Sequence, residues 1–131
     1  MTRHFALVLA FGVALVAATA IARADCHVHQ GDRVVLYSST DDPSVLAWDS
    51  PFRLRDYHAA SFDESQQLLA HASLLPPGTR ATVQGCIADF VHSRFAEHPD
   101  DAVEITTVTN GKGHVWWVLS SDLRLIQKPS H

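Results

Sequence analysis

The sequence lacks most of the features that reveal an enzyme. It has only two cysteines, which do not form a C-x-x-C motif, and it contains neither a G-x-S-x-G nucleophile motif nor the spacing of a Walker phosphate-binding loop. Serine, histidine and aspartate are plentiful, but no motif arranges them as a catalytic triad. The sequence therefore predicts a protein that is not an enzyme and needs no cofactor.

Long hydrophobic runs are absent after the first 24 residues. A short basic head precedes an apolar run over residues 5–22, which ends in the small-residue exit Ala22-Arg23-Ala24. This pattern is typical of a secretory signal peptide over residues 1–24, and we predict cleavage after Ala24. Cleavage after Ala22 and retention as a membrane anchor are the alternatives. The mature chain, residues 25–131, would be one domain, periplasmic or secreted, with no membrane span.

An excess of positive charge is also absent. The chain has ten Lys and Arg residues against fourteen Asp and Glu, and loss of Arg3 and Arg23 with the signal peptide would bring the net charge to −6 with neutral histidines. Nucleic acids and anionic membrane surfaces are bound by clustered positive charge. The composition therefore argues against both as partners.

Both cysteines, Cys26 and Cys86, lie in the predicted mature chain. An even number of cysteines in an oxidising compartment predicts a disulfide. A reactive thiol pair is the alternative, but neither cysteine has a basic cluster beside it that would activate it. We therefore predict that a Cys26–Cys86 bridge joins the N-terminus to the middle of the domain.

Short strands separated by turns dominate the mature chain. Residues 33–37 are mainly β-branched or aromatic and predict a strand, and residues 79–87 alternate as another strand. Residues 45–57 carry apolar side chains at mostly even spacing, but Pro51 restricts them to an edge strand or an irregular arm. A capping-box pattern followed by helical leucine spacing predicts one inserted short helix over about residues 62–75.

A hairpin is predicted near the end of the chain. Asn110-Gly111-Lys112-Gly113 lies between two β-rich runs, residues 103–109 and 114–119. Asn and Gly tolerate the positive φ that a tight hairpin turn requires. A last short strand is expected over residues 123–126, after a turn at residues 120–122.

Three segments resemble bacterial SH3-like domains: residues 31–37 (GDRVVLY), residues 75–83 (LPPGTRATV) and residues 114–123 (HVWWVLSSDL). The resemblance implies a mainly β fold, a small SH3-like barrel or β-roll, and a targeting or scaffold role whose partner does not follow from the fold. Papain-like hydrolases often accompany such domains, but they need a free cysteine, which the predicted disulfide does not leave. Residues 40–74 have no counterpart in a minimal SH3-like barrel.

Histidine is frequent, with nine in the chain and eight beyond the predicted cleavage point. In a strand, His27 and His29 would share one face and could supply two ligands to zinc or copper. Cleavage after Ala24 would also place His27 third from a free amino terminus, an arrangement that binds Cu(II) or Ni(II). Because scattered histidines are usually solvated, metal binding is the alternative prediction here.

Five aromatic side chains are candidates for a ligand-binding groove: Tyr37, Trp48, Tyr57, Trp116 and Trp117. Tyrosine and tryptophan combine a large contact area with a polar group, as recognition surfaces require. Adjacent residues of a strand face opposite sides, so one of the two neighbouring tryptophans is expected in the core and the other at the surface. The competing interpretation is that most of these rings build the core.

Together these observations predict an exported, non-catalytic binding module that recognises a peptide, a protein or a cell-wall component. A small periplasmic metal-binding protein that uses His27 and His29 is one alternative. An inhibitor or immunity protein that plugs a toxin or a lysozyme is another, because it fits the size, the compartment and the acidity of the chain.

Overall fold

The computed structural model describes residues 25–127 of the chain. The predicted signal peptide, residues 1–24, and its cleavage site lie outside the described residues. The same holds for residues 128–131. No helix among the described residues is long and apolar enough to cross a bilayer.

The structure is mainly β, as predicted, and its largest element is a five-stranded antiparallel sheet. In sheet order its strands are β6 (Lys112–Leu119), β5 (Asp100–Thr109), β4 (Arg80–Val91), β1 (Arg33–Leu36) and β7 (Leu123–Gln127). A 3₁₀ turn, Ser120–Asp122, separates β6 from β7. A second, two-stranded sheet pairs β2 (Val45–Ala47) with β3 (Ser73–Leu75).

The predicted hairpin is confirmed. Thr109 of β5 pairs with Lys112 of β6, and the two residues between them have φ angles of 53° at Asn110 and 77° at Gly111. Positive φ at both central positions gives a turn whose twist matches that of the flanking strands. Both arms are longer than expected. Strand β5 starts at Asp100, which already pairs with Val91, and β6 starts at Lys112, so Lys112 and Gly113 belong to the strand and not to the predicted four-residue turn.

The prediction of an edge strand or irregular arm over residues 45–57 is wrong beyond the first three residues. Strand β2 is followed by a helix, α1 (Pro51–Ala59). The Ser50 side chain accepts a hydrogen bond from the N–H of Phe52 and caps this helix. Pro51 lies in the first turn, where its missing N–H has no helical partner to lose, so the proline starts a helix here and does not break a strand.

The helix predicted over residues 62–75 is correct only in its first part. Helix α2 (Phe62–Leu68) begins at the Ser61 cap and continues as the 3₁₀ turn Leu69–His71. Ala72 is then extended, with φ −88° and ψ 152°, and the next residues form β3. Pairing with β2 satisfies backbone groups that a helix would otherwise use, so tertiary contact ends the helix before its leucine spacing does.

The predicted disulfide is present, with the Cα atoms of Cys26 and Cys86 6.4 Å apart. It attaches the segment before β1 to the middle of β4. A disulfide of this kind is compatible with an oxidising, exported location.

Two clusters of buried side chains pack on opposite faces of the sheet. The first core is aliphatic and contains Val28, Val34, Leu36, Val45, Ala47, Ala81, Val83, Val103, Ile105 and Val118. The second core contains Trp48, Leu54, Val91 and Ala102, with Tyr57, Leu68, Phe90, Trp117 and Leu119 packed against it. Neighbouring residues of one strand alternate between them, as Val103 and Ala102 do, because successive side chains point to opposite faces.

The described residues form no closed barrel. Strands β6 and β7 are the two edges of the main sheet and do not pair with each other. On its free side β6 pairs at Trp117 with Trp48, through backbone hydrogen bonds of 2.9 and 2.7 Å. The segment after β2 therefore occupies part of the edge that would have to be free for the sheet to close, and the SH3-like barrel is not confirmed.

Candidate functional site

A cleft of about 910 Å³ opens where β5 begins and β6 ends. Its walls come from the N-terminal segment, the loop after β1, the end of α1, the loop between β4 and β5, and the 3₁₀ turn before β7. The volume falls in the range of ligand pockets, roughly 300–1,000 Å³. The lining residues are His27, Val28, Ser39, Thr40, His58, Val91, Ser93, Phe95, Ala96, His98, Pro99, Asp100, Leu119, Ser120, Ser121 and Leu123.

The N-terminal wall of the cleft is held by Asp101, which is buried. Its Oδ2 accepts the backbone N–H of His27 at 3.2 Å and lies 3.3 Å from Nδ1 of the same residue. Its Oδ1 accepts the N–H of Asp89 at 3.0 Å, in a bulge of β4. A buried carboxylate requires such partners. They fix the His27 imidazole, which is largely exposed, at the rim of the cleft.

Asp100 provides the carboxylate on the cleft wall. Its Oδ1 accepts the N–H of Asp101 at 2.7 Å, and its Oδ2 accepts the N–H of Ser121 at 3.4 Å. The side chain thereby joins the start of β5 to the 3₁₀ turn. Its hydrogen-bond partners within residues 25–127 are backbone groups, and no ion pair of these residues includes it.

Much of the cleft surface is apolar. The Phe95 side chain is 97% exposed in the loop between β4 and β5, and Leu119 and Leu123 form part of the wall below. A single exposed apolar side chain is common, but here the exposed ring shares one cleft with other apolar side chains, and a continuous apolar surface is typical of binding sites. The cleft therefore offers an apolar surface beside a fixed carboxylate.

Two titratable groups at the cleft have shifted pKa values. Burial lowers the pKa of His58 below its usual value, and the Asp100 carboxylate partly opposes this shift. The pKa of Asp122 is raised to about 6, mainly by burial and also by the nearby charges of Asp100 and Asp42. At neutral pH the His58 imidazole is therefore uncharged, while Asp122 is ionised in an environment that disfavours its charge.

The arrangement does not pair a nucleophile with a base. The cleft is lined by four serines and three histidines, but no hydrogen bond among the described residues joins a serine hydroxyl to an imidazole. Both cysteines of the chain are in the disulfide, so neither is available as a thiolate. Catalysis by a serine or cysteine nucleophile needs an activated hydroxyl or thiol, and the described residues pair neither with a base.

His27 and His29 do not come together as metal ligands. Neither lies in a strand, and neither belongs to a group of three close ligand atoms within residues 25–127. The one such group in that range consists of Cys26, Cys86 and Asp101, and its two sulfurs are bonded to each other. The backbone N–H of His27 donates to Asp101, which opposes the amide deprotonation that N-terminal copper binding would need.

The five aromatic candidates do not form one groove. Trp48 is completely buried, Tyr57 packs on it with ring centroids 5.1 Å apart, and Trp117 contacts the same second core. Trp116 packs against the first core and donates from Nε1 to the Thr107 hydroxyl at 3.0 Å. Both adjacent tryptophans are half-buried, so the expectation that one lies at the surface is wrong. Each sheet face is covered at this point.

Tyr37, the remaining aromatic candidate, lies at the end of β1. The Arg124 guanidinium stacks 3.5 Å from the centroid of its ring. This cation–π contact occupies one face of the ring. Tyr37 therefore has an intramolecular partner and does not line the cleft.

The residues that do line the cleft were missed by sequence reasoning, apart from His27. Phe95 and Asp100 come from the loop before β5 and its first residue, His58 comes from α1, and none belongs to a motif. The high histidine content was the available signal, because three of the nine histidines meet here. Composition alone could not show which ones would do so.

Comparison of the chain with models of protein families, with curated proteins and with solved structures finds no match.

Proposed function

We propose that this protein is an exported, non-catalytic binding module that holds a peptide, a protein or a cell-wall component in the cleft beside Phe95. The observation that carries the proposal is a 910 Å³ cleft that combines an exposed aromatic ring with fixed polar groups and lacks a nucleophile–base pair among the described residues. A largely apolar concavity with a few convergent polar groups is the usual form of a ligand site.

Export is part of the proposal. The apolar start of the sequence, its small-residue exit and the Cys26–Cys86 disulfide support it. Cleavage after Ala24 would leave the N-terminal segment that forms one wall of the cleft at the start of the mature chain.

Membership of the bacterial SH3-like family is also proposed. The three segments that carry the resemblance contribute β1, the start of β4, and the run from β6 through the 3₁₀ turn to β7, and β1 lies between β4 and β7 in the sheet. The insertion that holds β2, the two helices and β3 departs from a minimal member. It supplies His58 and much of the second core.

A selection with a cleft-filling control tests the binding function. Ser121 is exposed on the 3₁₀ turn at the cleft, so Ser121→Trp should fill the site, whereas Gln66→Trp places the same ring on an exposed position of α2. Peptides selected from a random phage-displayed library should bind the wild type and Gln66→Trp but not Ser121→Trp. If the ligand is a cell-wall component, whole sacculi should sediment the wild type and Gln66→Trp but not Ser121→Trp. Failure to obtain any ligand that distinguishes the two variants would overturn the proposed function.

A further inference from the structure

We propose that the cleft takes a lysine or arginine side chain from a basic segment of a partner protein. The inference rests on the proposed function, because it names the class of ligand for the same site. It starts from charge complementarity between the cleft and such a segment.

Negative charge at the cleft is not neutralised from within the described part of the protein. Asp100 lines the wall, and two further carboxylates lie near it: Asp42 accepts a hydrogen bond from the lining residue Thr40 at 2.7 Å, and the charges of Asp100 and Asp42 both act on Asp122. None of these three carboxylates takes part in an ion pair among residues 25–127, where the pairs are His27–Asp101, Arg53–Asp49 and Arg55–Asp56. No lysine or arginine lines the cleft.

His58, a histidine of the cleft wall on which the Asp100 charge acts, does not supply the missing positive charge. Burial lowers the pKa of His58 even though Asp100 acts in the opposite direction. At neutral pH this imidazole is therefore a neutral wall group. A cation from outside would meet Asp100 without repulsion from it.

The apolar part of the cleft suits the stem of a basic side chain. Lysine and arginine carry three or four methylene groups that pack on apolar surface while the charged end finds a polar partner. Leu119 and Leu123 could cover the stem, and the open ring of Phe95 offers a face for a guanidinium. A purely polar cation such as a metal ion would leave this surface exposed.

The size of the cleft indicates a residue within a chain. A volume of about 910 Å³ is near the upper end for ligand pockets and accommodates the neighbours of the basic residue as well. The −6 charge expected for the mature chain would also accelerate the approach of a basic protein. We therefore commit to a protein segment as the occupant.

Nuclear magnetic resonance titration with defined peptides tests the charge class. The probes are acetylated, amidated pentapeptides of sequence Ala-Arg-Leu-Arg-Ala and Ala-Gln-Leu-Gln-Ala, added to the oxidised protein at low ionic strength. The arginine peptide should shift amide signals of residues 93–100 and 120–123, and the glutamine peptide should bind about tenfold more weakly.

Three charge variants separate the cleft from the overall acidity. Asp100→Asn should weaken binding of the arginine peptide about tenfold, and Asp42→Asn, at an exposed side chain that is less critical to the fold, about twofold to threefold. Asp63→Asn removes the same charge from the exposed start of α2 and should change binding less than twofold. Equal effects of Asp100→Asn and Asp63→Asn, or equal binding of the two peptides, would overturn the inference.

The two proposals fail in distinguishable ways. Cleft-dependent phage clones without lysine or arginine would overturn the basic-segment inference and leave the binding function standing. Ligands that all ignore Ser121→Trp would overturn both.

Discussion

The two cores of this protein differ in composition and in how they are assembled. The first core is aliphatic and comes almost entirely from strands, with a disulfide at its edge. The second core packs Trp48 and the two short helices of the insertion against the sheet, and it contains a buried polar atom, Trp48 Nε1, without a hydrogen-bond partner among the described residues. The first core is thus a regular scaffold, and the second is a less regular addition to it.

The cleft lies where the two cores meet. Val28 and Leu123 belong to the first core or pack on it, whereas Val91 and Leu119 belong to or pack on the second, and all four line the cleft. The regular core therefore fixes one side of the site. The other side depends on how the insertion packs. A substitution in the second core should therefore perturb the structure of the cleft more than a substitution in the first core.

The largest expected effect tests this dependence. Trp48→Ala should lower the free energy of unfolding by roughly 3–5 kcal/mol, since it empties a completely buried site, while Ile105→Ala in the first core should cost roughly 2–4 kcal/mol. Denaturant titration measures both. Only Trp48→Ala should also move the amide signals of Phe95 and Ser121. Equal disturbance of these signals by Ile105→Ala would remove the distinction between the cores.

Loss of the disulfide should act mainly on the first core. The bridge spans 60 positions, and replacing both Cys26 and Cys86 by serine should lower stability by roughly 2–4 kcal/mol. Thermal unfolding of the variant, compared with the wild type with and without reductant, measures the loss. We expect reductant to lower the unfolding temperature of the wild type and to leave that of the variant unchanged. Unchanged stability on reduction would show that the bridge adds nothing to the N-terminal attachment made by Asp101.

The third effect concerns Asp122 and depends on pH. Its pKa is raised to about 6 in the folded protein, so between about pH 4 and pH 6 the folded state holds a proton that the unfolded state has lost. This group's contribution to stability is therefore fully present below about pH 4 and falls as the pH rises to 6. The shift corresponds to at most about 3 kcal/mol, which partial exposure of the side chain reduces to about 1–2 kcal/mol.

Asp122→Asn removes the titrating group and measures this contribution directly. The variant should be more stable than the wild type at pH 7 and equal to it near pH 3. At pH 7 Asp100→Asn should raise the stability by less than Asp122→Asn does, because burial is the larger cause of the pKa shift of Asp122. A stability difference that is the same at both pH values would contradict the assignment.

The smallest effect lies at the hairpin turn, whose residues belong to neither core. Gly111→Ala should cost about 1 kcal/mol, because φ is 77° there and an alanine is strained in that region. Gly113→Ala is the matched control, since its added Cβ would make only ordinary contacts, with Thr106 Cγ2 at 3.7 Å and the Thr107 carbonyl oxygen at 4.0 Å. Urea denaturation of the two variants should place Gly113→Ala near the wild type. Equal losses of stability in the two variants would mean that backbone strain at the turn does not account for the effect of Gly111→Ala.

Much of the fold could be predicted wherever local chemistry and tertiary structure agree. The Asn110-Gly111 turn, the strands at residues 33–36 and 80–87 and the Cys26–Cys86 bridge follow from residue types and spacing. The prediction failed around Pro51, where a strand-like alternation competes with a capped helix start. Local propensity is a weak guide there, because the packing of α1 against β4, β5 and β6 determines which pattern prevails.

The candidate site could not be predicted in the same way. The sequence-based groove relied on residue type, and its tryptophans turned out to pack against the two cores. Phe95, by contrast, lies in a loop with no distinguishing motif and is left exposed. Whether an aromatic ring is core or contact surface depends on what covers it, which is a property of the folded chain.

By itself the sequence determined the mainly β character, the position of the hairpin and the cysteine pairing, because these depend on backbone preferences and on having only two cysteines to pair. Only the tertiary structure decided that the sheet stays open, that Trp48 covers part of its β6 edge, and that Asp100, His58 and Phe95 share one cleft. The physical reason is separation along the chain. Residues from segments tens of positions apart meet only when packing and loop closure bring them together, and no local pattern encodes that meeting.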